Sequence, residues 1–295
     1  QEYYVANDDN AFFQFVYKND TGGYNGAPHD FFRDGNMAVY ASSGYGKSTV
    51  LTTVALTLAS SNSPELLNFY LMDYGNSALV PLRKLPHTAD YLTLDDSEKR
   101  EKLTSILLEE IKIRKSLFAR QGAINFKMYN QLAAKKIPMI VILIDNYDAV
   151  KELGLDYEGF IATLSRDGVG LGIYTVLTAS RAGVVKYSII NNFKHKIAMY
   201  LYDNTDVLSL VGRTKYKLPE IKGRAFVKQN DVNTMQCFLP VKYEDDISYI
   251  KSIASLVERI SSGNTAPVAK CIPVLPEYVM PEMLAKLPDS THKVA

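Results

Sequence analysis

Short apolar runs alternate with longer amphipathic stretches along most of the chain. Residues 37–40 (MAVY) suit a buried strand. From Lys47 to about Ser60 the chain is rich in Ala, Leu and Thr with no breaker, which predicts a helix. Residues 67–72 (LNFYLM) predict a second strand that ends at Asp73. Asp95, Asp96 and Ser97 offer N-caps for a long helix reaching about Gln121, with Leu103, Leu107, Ile111 and Leu117 on one face. Residues 139–144 (MIVILI) are continuously apolar, as strands covered on both faces of a parallel sheet are. Further strands are expected over 172–177 and 197–202, a hairpin over 223–240 with Asn230-Asp231 at its tip, and a last amphipathic helix from Asp245 to about Ser261.

Before Asn36, aromatic residues mix with turn signals such as Thr21-Gly22-Gly23 and Asn25-Gly26, so short strands and loops are expected. After Gly263, Pro267, Pro273, Pro276, Pro281 and Pro288 suggest an exit strap or linker. There is no internal repeat. Strands alternating with helices predict an α/β fold: a mostly parallel sheet with helices on both faces, plus a β-hairpin and a Pro-rich tail. The expected division is a lead-in over 1–35, one domain over 36–262 and a tail or linker over 263–295.

Composition narrows the class. Of 295 residues, 47% are apolar and 22% charged, which excludes a disordered, collagen-like or coiled-coil chain. Lys plus Arg is 33 against 32 for Asp plus Glu, so the basic surplus of a dedicated nucleic-acid binder is missing. No apolar run reaches the roughly 18–20 residues of a membrane span, and QEYYVANDDN has no signal-peptide character. The cytosol is the expected compartment, and a start on Gln1 reads as a fragment. Cys237 and Cys271 sit in apolar stretches and are expected as reduced, packed thiols. His29, His87, His195 and His292 are scattered along the chain, so no Cys/His metal site is expected.

The chemistry concentrates after the first apolar strand. Ala41-Ser42-Ser43-Gly44-Tyr45-Gly46-Lys47-Ser48-Thr49 precedes the first predicted helix and is close to the phosphate-binding loop G-x-x-x-x-G-K-[ST]. Glycines let backbone N–H groups turn toward a phosphate chain, and the helix points its positive end at the same anions. Lys47 supplies charge to the outer phosphates, and Ser48 a hydroxyl to Mg²⁺. Ser42 to Thr49 are therefore candidate nucleotide-binding residues for ATP. Ala41 stands where Gly is usual, which predicts a strained or displaced loop, and so weak binding, if that position needs φ > 0.

The strand over 140–144 ends in Asp145, placed to hold Mg²⁺ water beside the loop if its strand is a neighbour. Hydrolytic sites of this kind usually continue with a Glu that activates water. Here the next residue is Asn146, whose amide cannot accept a proton. Losing a general base removes roughly 10²–10⁴-fold of rate. Asp148 lies nearby in sequence but need not point to the same place. A third strand ends in Thr178-Ala179-Ser180-Arg181, where Ser180 could sense the terminal phosphate. Asp145, Asn146 and Ser180 are thus the candidate catalytic positions, with Ser48 and Asp145 as metal ligands. Arg166 and Arg181 are candidates to reach a neighbour's site. Gly168-Val169-Gly170-Leu171-Gly172 precedes a strand instead of opening a helix, so it is weak evidence of a dinucleotide fold.

These segments carry a resemblance. GYGKST after a short strand, LMDYGN, IVILIDNYD and GLGIYTVLTASR, followed by IAMYLYD and GRAFV, resemble the FtsK/SpoIIIE class of P-loop (RecA/FtsK-like) motor ATPases over about residues 36–242. ASSGYGKSTVLTTVAL, DYGNSALVPLRKLPHTADY and Pro273-Val274-Leu275-Pro276-Glu277 are most similar to one ATPase module of the type VII secretion ATPases (EssC/EccC type), with a lean towards the last, C-terminal module. The resemblance implies a motor on the cytoplasmic side of a membrane, anchored by segments outside this chain. It implies tandem modules in a hexamer, partners that are small secreted helical proteins bearing a C-terminal export signal, and no nucleic acid. It also implies that later modules often have degenerate sites, so Ala41, Asn146 and Ser180 put turnover in doubt more than binding. The alternatives are an FtsK-type DNA translocase and a metabolic P-loop kinase, which would need an acceptor-binding lid. Candidate walls of a peptide groove are the apolar faces of the 95–121 helix and of the segment around Tyr187–Phe193.

Overall fold

A computed structural model describes residues 12–18, 24–228, 232–237 and 239–272. The apolar runs become the centre of one ten-stranded sheet. Its strands are β1 (Phe12–Lys18), β2 (Tyr24–Asp30), β3 (Asn36–Tyr40), β4 (Leu67–Asp73), β5 (Thr88–Leu92), β6 (Met139–Asp145), β7 (Ile173–Ala179), β8 (Phe193–Met199), β9 (Arg224–Lys228) and β10 (Val232–Gln236). They lie in the order β2-β1-β10-β9-β8-β3-β7-β6-β4-β5. The side from β8 to β5 is parallel throughout, and the wing of β9, β10, β1 and β2 is antiparallel.

The helices are α1 (Phe31–Asp34), α2 (Lys47–Ser61), α3 (Ser97–Gln121), α4 (Phe126–Leu132), α5 (Leu155–Asp167), α6 (Tyr187–Ile190), α7 (Asn204–Val211) and α8 (Asp246–Ser262). β3, β6 and β7 are buried at every position, so helices cover both faces of the sheet's centre. The α/β fold expected from the alternation of strands and helices is the fold observed. The hairpin forms as β9–β10, while Asn230-Asp231 lies outside the described residues.

The long helix shows how its pattern works. The buried positions of α3 are Leu103, Leu107, Ile111, Arg114 and Phe118, a stripe at steps of three and four. Leu117, expected on that stripe, is only half-buried, and Arg114 takes the next place on it. Arg114 is fully buried because its guanidinium donates to Glu110 Oε1 (2.7 Å), Leu171 O (2.8 Å) and Pro138 O (2.8 Å). It thereby satisfies carbonyls just before β7 and β6. This face lies in the core and is not available as a groove wall, while Ile106 and Ile113 of α3 stay exposed. In the other candidate segment Tyr187 stays exposed while Ile189 is buried.

Gly168 and Gly172 of the 168–172 run serve packing, while a Cβ at Gly170 would meet open space. A Cβ at Gly168 would lie 2.6 Å from Leu164 O and 2.7 Å from Ile173 O, and at Gly172, with φ +75°, 2.3 Å from the Phe126 ring. At the C-terminal end, Ala269 N–H donates to Pro86 O (2.8 Å) and Ile272 N–H to Asp90 Oδ2 (3.0 Å), so 269–272 lie beside edge strand β5 with Ile272 buried. The phrase beginning at Pro273 lies outside the described residues. Cys237 is half-buried, whereas Cys271 is exposed, contrary to the packed thiol expected from its apolar neighbours. Among the described residues no helix is long and apolar enough to cross a membrane.

Candidate nucleotide-binding site

The phosphate loop leaves the sheet at the end of β3. Ala41 N–H donates to Ala179 O (3.2 Å) and Ser42 N–H to Tyr200 O (2.9 Å), so the first loop residues still belong to the hydrogen-bonded ladder. Ala41 is fully buried. Its φ is not positive, since Ser77 and Asn146 are the positive-φ non-glycine residues among those described. The expected distortion at Ala41 is therefore absent: the position asks for a small side chain, not for left-handed backbone. The left-handed turns fall on Gly44 (φ +87°) and Gly46 (φ +99°). A Cβ at Gly44 would meet open space, so backbone angle alone demands glycine there.

Gly46 caps α2, and Lys47, Ser48 and Thr49 open it with no acidic residue in the first turn. The positive helix end and Lys47 therefore face the loop without a competing carboxylate from that turn. The loop is also held from outside. Gly223 N–H donates to Tyr45 O (3.1 Å), the Tyr45 hydroxyl donates to Glu220, and the Tyr45 ring packs on Tyr200 at 4.6 Å between centroids.

Asp145 meets this loop, although not from a neighbouring strand: β7 lies between β3 and β6. Helix α2 packs over β7 and β6 and carries Ser48 across the gap. Ser48 Oγ lies 2.9 and 3.0 Å from the two carboxylate oxygens of Asp145, and Thr178 Oγ1 donates to the same carboxylate at 2.7 Å. Burial raises the Asp145 pKa above the ordinary carboxylate value, opposed by the hydrogen bonds from Thr178 and Ser48. Thr178 also accepts from Asn146 N–H at 2.8 Å. Sequence reasoning singles out Ser180 on this strand end and passes over Thr178. Position parity is the available signal, because residues two apart on a strand share a face.

The other expected catalytic groups are engaged elsewhere. Asn146 sits in left-handed backbone (φ 61°, ψ 62°), and its Nδ2 donates to Tyr74 O at 2.9 Å. Its amide thus ties the end of β6 to the end of β4. Gly75 completes this contact: a Cβ there would lie 3.0 Å from Asp145 Oδ2 and 3.3 Å from Asn146 Cβ. The Ser180 hydroxyl donates to Asp148, whose other oxygen accepts Ser180 N–H at 2.9 Å. Asp148, the carboxylate that follows closely in sequence, and the candidate sensor satisfy each other, while Asp73 lies opposite Asp145 on β4. Arg181 is exposed just past β7, on the loop's side of the sheet. Arg166 pairs with Asp167 (2.7 Å) at the end of α5 that leads into the start of β7, the opposite side.

The arrangement is a glycine-turned loop at a helix N-terminus with a hydroxyl and a carboxylate converging beside it. A model of the FtsK/SpoIIIE family matches residues 18–225.

The chain belongs to the FtsK/SpoIIIE family.

Members of this family are P-loop ATPases, which use nucleotide and typically Mg²⁺. The chain is 40% identical over 249 residues to the ESX secretion system protein EccC of Geobacillus thermodenitrificans, a match covering 84% of this chain and 17% of that protein. Among solved structures, EssC ATPases 2 and 3 from Geobacillus thermodenitrificans superpose with a TM-score of 0.90 at 36% identity, over 94% of this chain and 54% of that one. The Thermomonospora curvata EccC ATPases 2 and 3, solved in complex with a signal sequence peptide, share the fold with a TM-score of 0.82 at 21% identity, over 97% of this chain and 53% of that one. The chain thus spans under a fifth of the curated relative's length and about half of each two-ATPase structure.

The oxygen donors fit Mg²⁺, a hard cation that prefers carboxylate, hydroxyl and water. Ser48 and Asp145 would hold it, and it would supply neutralisation of phosphate charge.

Proposed function

We propose that this chain is one ATPase module of a type VII protein secretion motor, and that it binds MgATP while hydrolysing it very slowly. The observation that supports this reading is the contrast around Asp145. The loop glycines, Lys47, Ser48 and Asp145 are in place, while Asn146 is committed to Tyr74 and Asp148 to Ser180. Ser42 to Thr49 bind the phosphates. Ser48 and Asp145 hold Mg²⁺, and Asn146 supplies no base. The geometry of Ala41 gives no reason for weak affinity.

The secretion role rests on the relatives. In that role the module engages the C-terminal export signal of small secreted helical proteins. It works beside neighbouring modules of a longer, oligomeric protein on the cytoplasmic face of a membrane, with anchoring supplied by segments outside this chain. Arg181, on the loop's side of the sheet, is the better placed of the two arginines to meet a neighbouring module.

The test is a titration of MgATP against the isolated chain, with turnover measured on the same sample. Binding without appreciable turnover is expected. Fast Mg²⁺-dependent hydrolysis would refute the slow-turnover reading and point to Asp148 released from Ser180. Calorimetry with an export-tail peptide tests the partner: an apolar groove gives a negative heat-capacity change and little salt dependence. Tight duplex-DNA binding that falls steeply with salt would favour the translocase alternative.

A further inference from the structure

Three side chains far apart in sequence converge at the start of β3, the end of the strand opposite the phosphate loop. They are His29 from β2, Asp34 from α1 and His195 from β8, whose ligand atoms all lie within 4.8 Å of one another. His29 and Asp34 are buried and His195 is half-buried. The two Nδ1 atoms are 2.9 Å apart across a sequence separation of 166. The histidines that looked scattered along the chain are thus paired by the topology: β2 leads through α1 into β3, and β8 pairs beside β3 with Met37 opposite His195.

The hydrogen bonds fix where lone pairs point. His29 Nε2 lies 3.0 Å from Gly35 O, and a carbonyl only accepts, so Nε2 carries the proton. In the neutral ring Nδ1 is then the lone-pair nitrogen, aimed at His195. The proton between the two rings therefore belongs to His195. A histidine whose far nitrogen donates to a backbone carbonyl is arranged as metal-bound histidines are. The N···N separation of 2.9 Å is a few tenths of an ångström short of the roughly 3.3 Å that two nitrogens at about 2.0–2.1 Å span at a tetrahedral zinc ion, so the rings part slightly as the ion enters.

We propose that His29, Asp34 and His195 form a binding site for a divalent transition-metal ion, with zinc as the best match. Two imidazole nitrogens and one carboxylate oxygen are zinc's donors, and three protein ligands leave a position for water. Besides that parting of the rings, binding requires two local changes. His195 shifts its proton from Nδ1 to Nε2 through solvent, so no net proton is released. Arg33, which now donates to Asp34 through Nε (2.9 Å) and Nη2 (2.6 Å), gives up the carboxylate. The Arg33 side chain is 59% exposed and can turn into water. Asp30 N–H stays on Asp34 Oδ2 at 3.0 Å. Lys194, donating to Arg33 O at 3.0 Å, is a further cation facing the site and lowers its affinity without blocking it. The bound ion would clip the junction of β2 and α1 to β8, joining the antiparallel wing's entry to the parallel side.

The experiment uses the full chain stripped with chelator. Zn²⁺ is titrated by calorimetry, and Co²⁺ is followed by its visible absorption as a probe of nitrogen and oxygen ligation. One equivalent of zinc is expected. His195→Gln, at the half-exposed position, should weaken it at least about tenfold. Arg33→Ala should strengthen it roughly three- to fivefold by removing the competing cation. The exposed Arg33 variant keeps the test decisive if His195→Gln fails to fold. Absence of zinc binding, equal binding by wild type and His195→Gln, or unchanged or weaker binding by Arg33→Ala would overturn the proposal and leave a plain histidine–histidine hydrogen bond.

Discussion

Two halves of the candidate nucleotide site meet at Asp145, and they use their polar groups differently. The half from β3 and α2 has its backbone turns on Gly44 and Gly46, its lysine at the first helical position and its hydroxyl 2.9 Å from the carboxylate. Its glycine turns, the positive end of α2, Lys47 and Ser48 lie where phosphates and Mg²⁺ would sit, while Tyr45 and Ser42 tie the loop to Glu220 and Tyr202. The half from the tips of β6 and β7 has its polar groups engaged with one another: Asn146 on Tyr74 O, Thr178 on Asp145, Ser180 on Asp148. Binding requires fixed donors around an anion, whereas hydrolysis also requires a base left unpaired to take a proton. A site can therefore keep the first without the second.

The sharpest way to break this contrast is at Lys47. Lys47→Ala removes a charge-assisted contact to the outer phosphates and should weaken MgATP binding about 10–100-fold by calorimetry. Equal binding by the variant would place the nucleotide elsewhere. Asp145→Asn should cost about tenfold, in the Mg²⁺-dependent part of the affinity only. Because burial raises the Asp145 pKa, its carboxylate protonates above the ordinary acidic range as pH falls. Mg²⁺-dependent binding should therefore decline in that window, while nucleotide binding in EDTA does not follow it.

Asn146→Glu tests the hydrolytic half directly. It places a longer side chain at φ 61° and deletes the donor to Tyr74 O. A loss of about 1–2 kcal/mol in denaturant unfolding is expected, with turnover still low. A large gain in hydrolysis without loss of stability would show that the β6 tip is only one residue short of an active site. The smallest effect belongs to Ala41→Gly. Ala41 is buried at ordinary backbone angles, so glycine should cost about 0.5–1 kcal/mol through added freedom of the unfolded chain and leave MgATP affinity unchanged. Tighter binding by this variant would restore the idea that Ala41 deforms the loop.

By itself the sequence determined the elements and the loop. The apolar run MIVILI has the length and β-branched content of a strand covered on both faces, the Ala- and Leu-rich stretch after Gly46-Lys47 has the make-up of a helix, and Gly44 and Gly46 supply the backbone freedom that the left-handed turns use. These are local properties of side-chain periodicity and backbone freedom. Less patterned segments stayed hidden: β5 is the short mixed run TADYL, and the strand expected over 197–202 forms as β8 over Phe193–Met199, its start masked by the polar Lys194, His195 and Lys196. The tertiary structure alone decided how those elements share their polar groups. It set β7 between β3 and β6, so that Thr178 and not Ser180 supports Asp145. It left Ala41 unstrained, turned the Asn146 amide to Tyr74, and brought His29 within hydrogen-bonding distance of His195. Each of these depends on a backbone angle or on a partner tens to hundreds of residues away, and only the closing of the sheet brings such partners together.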